Sequence, residues 1–217
     1  MDGEGNAFFC GNFSSVASFG PQTLESMGEG DIFTAKLDSE GNWLWAARAG
    51  SIENDRAWDM SLSANGDAYL IGSFRQSCAF GAIQLLSSGD NDIYVAKLSG
   101  EGTWDWALKA GGGSIDAGFG IKVTPTDEIY ATGSYYTTCH FGSITVSSLG
   151  SEDVFVGRVI LGETVEHYQL TSFWTELTEQ NEVNVSWTTS YESGMLGYSL
   201  FRATTSNLNN AELNRLK

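Results

Sequence analysis

The chain has 217 residues, 41% of them apolar, which is enough for a sizeable core. Its 26 glycines and many aromatic residues, against two prolines, suit short strands joined by tight turns. With 27 acidic and 11 basic residues the formal charge is −16, which excludes nucleic acid or an anionic membrane as the main partner. No apolar run approaches the roughly 18 residues that would span a bilayer, so no membrane insertion is expected. The first residues, Met1-Asp2-Gly3-Glu4, carry neither the basic nor the apolar region of a signal peptide.

From its start the chain repeats itself. Gly11, Phe19-Gly20, Asp31-Ile32, Lys36-Leu37, Trp43, Trp45 and Ala49-Gly50 recur 61 residues later. Their counterparts are Gly72, Phe80-Gly81, Asp92-Ile93, Lys97-Leu98, Trp104, Trp106 and Ala110-Gly111. Gly133, Phe141-Gly142, Asp153-Val154 and Arg158-Val159 continue the series. Between 5–50 and 66–111, 21 of 46 positions are identical without a gap, which chance does not supply.

In the complete middle copy, strands are predicted at 57–63, 68–74, 92–98 and 103–109, with an extra edge strand at 79–87. Ala64-Asn65-Gly66-Asp67 and Ser99-Gly100-Glu101-Gly102 supply turn residues that accept positive φ, as 38–42 does in the first copy. Four antiparallel strands in each roughly 60 residues, with both faces of each sheet buried, describe a blade of a β-propeller. The expected fold class is all-β. Propeller units at 1–50, 51–111 and 112–160, each its own sheet, are followed by a linker at 161–169 and a partial β-sandwich at 170–217. Residue 1 aligns with residue 62 and the third copy stops after Ile160, so the phase predicts about 2.6 units of a longer, incomplete array.

Trp104 and Trp106 lie two apart and are expected on one face, with Asp105 on the other; Leu44 replaces Asp105 in the first copy. Recurrence at one point of every complete unit favours packing between blades, with Trp45 and Trp106 largely buried. A stacking platform for a sugar or cofactor is the alternative. Beyond Ile160 the repeat ends, and alternating segments at 170–173, 182–189 and 196–202 read as strands, the second carrying Trp187.

Residues with possible chemistry are few. His140 and His167 fall outside any ligand spacing. Glu101 with Asp105, and Glu152 with Asp153, are paired carboxylates at turns and strand starts. Asp31, Asp92 and Asp153 each open a strand, where a carboxylate accepts local backbone N–H groups; calcium is the alternative, although no Asp-x-Asp-x-Asp-Gly loop is present. Cys78 and Cys139 are repeat equivalents, while Cys10 is not. Sheets about 10 Å apart exceed the roughly 7 Å Cα limit of a disulfide, so free, largely buried thiols are expected. No catalytic, cofactor-binding or metal residue is assigned, and no cofactor is expected apart from the calcium alternative.

The turn, aromatic-x-x-Gly, Phe-Gly, Gly-x-x-Asp-Ile/Val and Gly-x-Trp-x-Trp pattern of residues 1–160 resembles bacterial β-propeller repeats, of the seven-bladed type found in secreted and surface proteins. Trp187-Thr188-Thr189 followed by Gly197-Tyr198 and Leu200-Phe201-Arg202 is similar to the opening of a fibronectin type III-like module. The resemblance implies a non-catalytic extracellular or cell-surface bacterial scaffold that binds a protein or glycan ligand. The rival implication is the accessory region of a secreted hydrolase.

Overall fold

The computed structural model describes residues 1–160 in full and, beyond them, the backbone of three strands at 166–177, 183–193 and 198–201. The described chain is all-β. No helix among the described residues is long and apolar enough to cross a membrane. The first unit holds β1 (Ala7–Phe13), β2 (Val16–Phe19), β3 (Gln22–Glu25), β4 (Asp31–Leu37) and β5 (Trp43–Gly50). The middle unit holds β6 (Arg56–Leu62), β7 (Ala68–Phe80), β8 (Ile83–Leu98) and β9 (Trp104–Gly112). Next come β10 (Asp116–Val123), β11 (Ile129–Phe141) and β12 (Ile144–Val159), then β13 (Glu166–Leu177), β14 (Val183–Ser193) and β15 (Tyr198–Phe201).

Turn chemistry sets the hairpins. Gly66 closes the β6–β7 turn at φ 82°, donating to the Ser63 carbonyl, and Gly102 does the same from φ 83° between β8 and β9. At the equivalent of Gly66 in the third unit stands Asp127, at φ 58°, a residue type that tolerates the left-handed region. The extra edge strand expected at 79–87 is instead the outer half of two long strands. β7 and β8 pair from Ala68–Leu98 to Phe80–Ile83, and Gln76 at φ 54° absorbs the irregularity between Arg75 and Ser77. Ser15 and Thr137 hold the same conformation 61 residues either side.

The 61-residue interval holds in the pairing. Gly11 faces Phe33 across β1–β4, Gly72 faces Tyr94 across β7–β8, and Gly133 faces Phe155 across β11–β12. In each pair the ring lies on the glycine: a Cβ there would stand 2.7–2.8 Å from the ring's Cε1. At Gly72 it would also meet the Arg56 carbonyl oxygen.

The middle unit is buried on both faces. Leu70, Phe74, Phe80, Tyr94 and Leu98 join Ile32 and Ala49 of the first unit. Tyr69, Ile71, Ile93 and Val95 join Ile121, Ile129 and Phe155 of the third. Gly118 of β10 comes so close to Ile71 that a Cβ would stand 2.4 Å from its Cγ1.

Three expectations are corrected. The units are not separate sheets: β5 pairs with β7 through Ala49–Phe80 and Gly50–Ala79, and β9 with β11 through Gly111–His140 and Gly112–Cys139. The outer halves of β7 and β11 reach back to the preceding unit and join it edge-on, giving one strongly curled sheet of eleven strands. Second, the paired tryptophans do not share one face. A register shift matches Lys97 to Trp106 and Leu98 to Trp104, so Asp105 is bulged out and strict alternation is lost. Trp104 then packs on Phe80 and donates to the Arg48 carbonyl at 3.1 Å, while Trp106 packs on Tyr69. Third, Trp45 and Trp106 are half-buried, because each sits at the rim of its core cluster. Of the C-terminal strands, β13 pairs with β14, whereas β15 pairs with β12 at the place β9 takes on β8.

Tyr94 is fully buried and its hydroxyl has no hydrogen-bond partner, while its equivalents are Phe33 and Phe155. Tyr94→Phe is therefore expected to raise stability by about 1 kcal/mol, the lower range for removing a stranded polar group. Gly72→Ala, which forces a Cβ into backbone, is expected to cost more than the roughly 1–3 kcal/mol of ordinary overpacking. Urea denaturation midpoints of the two variants check both signs.

Candidate functional site

β6 and β10 begin their units, and each pairs on one side only, β6 with β7 and β10 with β11. Each carries a bulge near its start, between Ala57 and Asp59 in β6 and between Gly118 and Gly120 in β10. The bulged residues are Trp58 and Phe119, 61 apart. Released from alternation, both side chains turn outward: Trp58 is 46% exposed and Phe119 49%. Their rings meet edge-to-face, with centroids 5.9 Å apart at 74°.

Polar groups hold this pair in place. The Trp58 indole donates to Ser73 Oγ at 3.4 Å. The Arg56 guanidinium lies over the Trp58 ring, 5.7 Å from its centroid, and its Nε donates to Asn54 Oδ1 at 3.2 Å. The free side of β10 is satisfied by side chains of β6. The Ile121 amide donates to Asp59 Oδ2 at 2.8 Å and the Val123 amide to Ser61 Oγ at 3.0 Å. On β6, the Ala57 amide donates to Asn12 Oδ1 at 2.8 Å. The aromatic pair thus stands on two strand edges tied together by hydrogen bonds.

Behind this surface each unit boundary buries two carboxylates. Asp31 Oδ2 accepts the Met27 amide at 3.1 Å and Arg48 Nη1 at 2.5 Å. Asp92 Oδ2 accepts the Ser88 amide at 2.8 Å and Lys109 Nζ at 3.4 Å. Their Oδ1 atoms have no hydrogen-bond partner, and the carboxylates lie against Gly50 and Gly111, where a Cβ would come within 2.6 Å of either Cγ. Asp55 and Asp116 are the second carboxylates. Asp55 accepts the amides of Ser51 at 2.8 Å and Arg75 at 3.3 Å; Asp116 accepts those of Gly112 at 2.7 Å and Tyr136 at 3.1 Å. Burial pushes the Asp55 carboxyl up to about 7, against the pull of those amides, and raises Asp92 and Asp116 as well.

Of the residues singled out from sequence, Asp31 and Asp92 stand at these boundaries and the rest lie elsewhere. Asp153 accepts the Leu149 amide at 3.1 Å, so all three aspartates take a backbone N–H four residues back; only Asp31 opens its strand, while Asp92 and Asp153 lie within β8 and β12, which begin earlier than expected. Among the described residues no three His, Cys, Asp or Glu side chains converge into a metal-holding group. Asp105 pairs with Lys97 at 2.9 Å while Glu101 is exposed in a turn. Glu152 accepts the Tyr136 hydroxyl at 3.0 Å. His140 is exposed and shares a hydrogen bond with Thr145 Oγ1 at 2.9 Å; His167 lies outside the residues whose side chains are described. Cys10, Cys78 and Cys139 are free thiols, and burial pushes the Cys10 thiol up to about 11, away from nucleophilic use. A shallow hollow of about 220 Å³ between 127–129 and 158–160 is smaller than the roughly 300 Å³ at which ligand pockets begin.

Sequence reasoning missed Trp58, Phe119, Asp55 and Asp116. A signal existed, since both pairs keep the 61-residue interval. Their flanks hide it: Ala57-Trp58-Asp59 and Gly118-Phe119-Gly120 share no identical neighbour. Compared with known family models and with curated proteins, the chain matches none.

A carboxyl whose pKa is raised on folding takes up its proton more readily in the folded state, so its contribution to stability is full below the unfolded value near 4 and is lost as pH rises through the folded value. For Asp55 the window is from about 4 to about 7, and Asp92 and Asp116 act in the same direction. The urea midpoint is expected to fall between pH 4 and pH 7.5. Asp55→Asn should flatten that slope, whatever it does to the midpoint at either end.

Proposed function

We propose that the chain is a non-catalytic recognition scaffold, built of β-propeller blades and working outside a bacterial cell or on its surface, with the Trp58–Phe119 pair as its ligand platform. Three features support the blade reading. The complete middle unit is a four-stranded antiparallel meander, its first strand unpaired on one side, and its faces pack on the neighbouring units. The edge-on joints between units involve two residue pairs each, whereas β7 and β8 pair along their whole lengths. In such an array the first strands line the inner surface, a place where propellers gather ligand contacts. The fibronectin-like reading of 170–217 rests on its sequence pattern and belongs to the same proposal.

One observation carries the recognition reading: two aromatic rings at equivalent bulges of neighbouring strands, half exposed and in contact with each other. An exposed aromatic pair costs solubility without adding to the core, and its rigid faces suit the C–H faces of a sugar ring. Of the repeated tryptophans, Trp45, Trp104 and Trp106 are engaged instead in the cores between units, and Trp43 packs on Phe9 and Phe19 within the first unit.

Intrinsic fluorescence titration with soluble oligosaccharides, neutral and acidic, tests this. At least one is expected to shift the emission, and Trp58→Ala combined with Phe119→Ala should abolish its binding while the melting temperature moves by no more than a few degrees. Binding that survives the double substitution, or turnover of the bound saccharide, overturns the reading.

A further inference from the structure

The basic residues of 1–160 are unevenly committed. Lys36, Arg48, Arg75, Lys97, Lys109 and Arg158 each reach a carboxylate within 3.4 Å. Arg56 and Lys122 are the two that form no ion pair among the described residues. Both are exposed. Arg56 lies over Trp58, and Lys122 stands three residues beyond Phe119 on β10. In a chain of charge −16, the uncommitted positive charge is therefore carried by the same two edge strands as the exposed aromatic pair.

We propose that this surface binds an acidic saccharide, a chain of uronate residues whose ring faces lie on Trp58 and Phe119 and whose carboxylates meet Arg56 and Lys122. The proposal rests on the recognition reading above and adds the ligand's charge. A guanidinium stacked on an indole keeps its outer N–H groups for a planar carboxylate, which a neutral sugar would leave unused. Two separate positive charges within a negative field also favour a ligand with spaced single charges over a densely charged polyanion. An added peptide strand fits poorly, because the Ile121 and Val123 amides of β10 already donate to Asp59 and Ser61 and offer no ladder.

The test uses the full chain and isothermal titration with a short oligogalacturonate. Its methyl ester keeps the ring faces and removes the charge, and polyglutamate keeps charge without sugar faces. Oligogalacturonate is expected to bind, with about tenfold weaker affinity in Arg56→Gln and in Lys122→Gln and a steady loss as salt is raised. The methyl ester should bind at least tenfold more weakly than the acid. Unchanged circular dichroism and melting of the two variants separates lost contacts from lost folding. If the ester binds as well as the acid, and Trp58→Ala abolishes both, the charge inference fails and the recognition reading stands. If polyglutamate binds as tightly as oligogalacturonate, the ligand class is an acidic peptide and the saccharide proposal is overturned. If neither the acid nor any neutral oligosaccharide binds, both readings fall.

Discussion

An aromatic ring laid on a glycine of the facing strand organises every unit of this protein. Phe33 on Gly11, Tyr94 on Gly72 and Phe155 on Gly133 occupy the same cross-strand position, and no larger residue than glycine leaves room for the ring. The ring covers a stretch of backbone that would otherwise pack poorly, and the missing Cβ lets the next strand approach. At Gly72 that strand is β6, whose Arg56 carbonyl lies where a Cβ would stand. The glycine therefore serves both neighbours: it seats the ring on one side and the inner strand on the other. The position of β6, and with it the aromatic platform, follows from it.

Strands β6 and β10 then face a problem of their own, since each has an unpaired side. Open strand edges invite association with other chains. Here the edge of β10 is covered by Asp59 and Ser61 of β6, and the bulges at Trp58 and Phe119 interrupt the ladder. The bulges that interrupt the ladder also turn the aromatic rings outward, so edge protection and ring exposure come from one local irregularity.

Much of the fold could be read from the interval of 61 residues, because glycine, turn and amide-holding aspartate positions are fixed by backbone conformation and must recur with it. The bulges could not. Alternation with period two places Trp104 and Trp106 on one face, and only the register shift beside Leu98 separates them. The same limit hid the outward turn of Trp58, which strict alternation would treat like Arg56 and Met60. Asp55 and Asp116 escaped for a different reason: Asp55 stands just before β6 and Asp116 opens β10, and their partners Arg75 and Tyr136 lie 20 residues further along the chain. The joints between units were illegible as well: Ala49-Gly50 recurs as Ala110-Gly111, but the pairing itself uses backbone groups that the pattern does not reveal.

That last property bears on how an array of this kind changes over evolutionary time. Residues 49–50 pair with Ala79 and Phe80, and residues 111–112 with Cys139 and His140, through main-chain ladders. His140 faces Gly111 in one joint where Ala79 faces Gly50 in the other, so the pairing holds whichever side chain is present. A connection that reads only the backbone accepts any copy that ends in Ala-Gly and presents a strand. Recombination in phase with the 61-residue period can insert or delete a whole copy and find a fitting backbone junction on either side, which leaves only the packed faces between units to adjust.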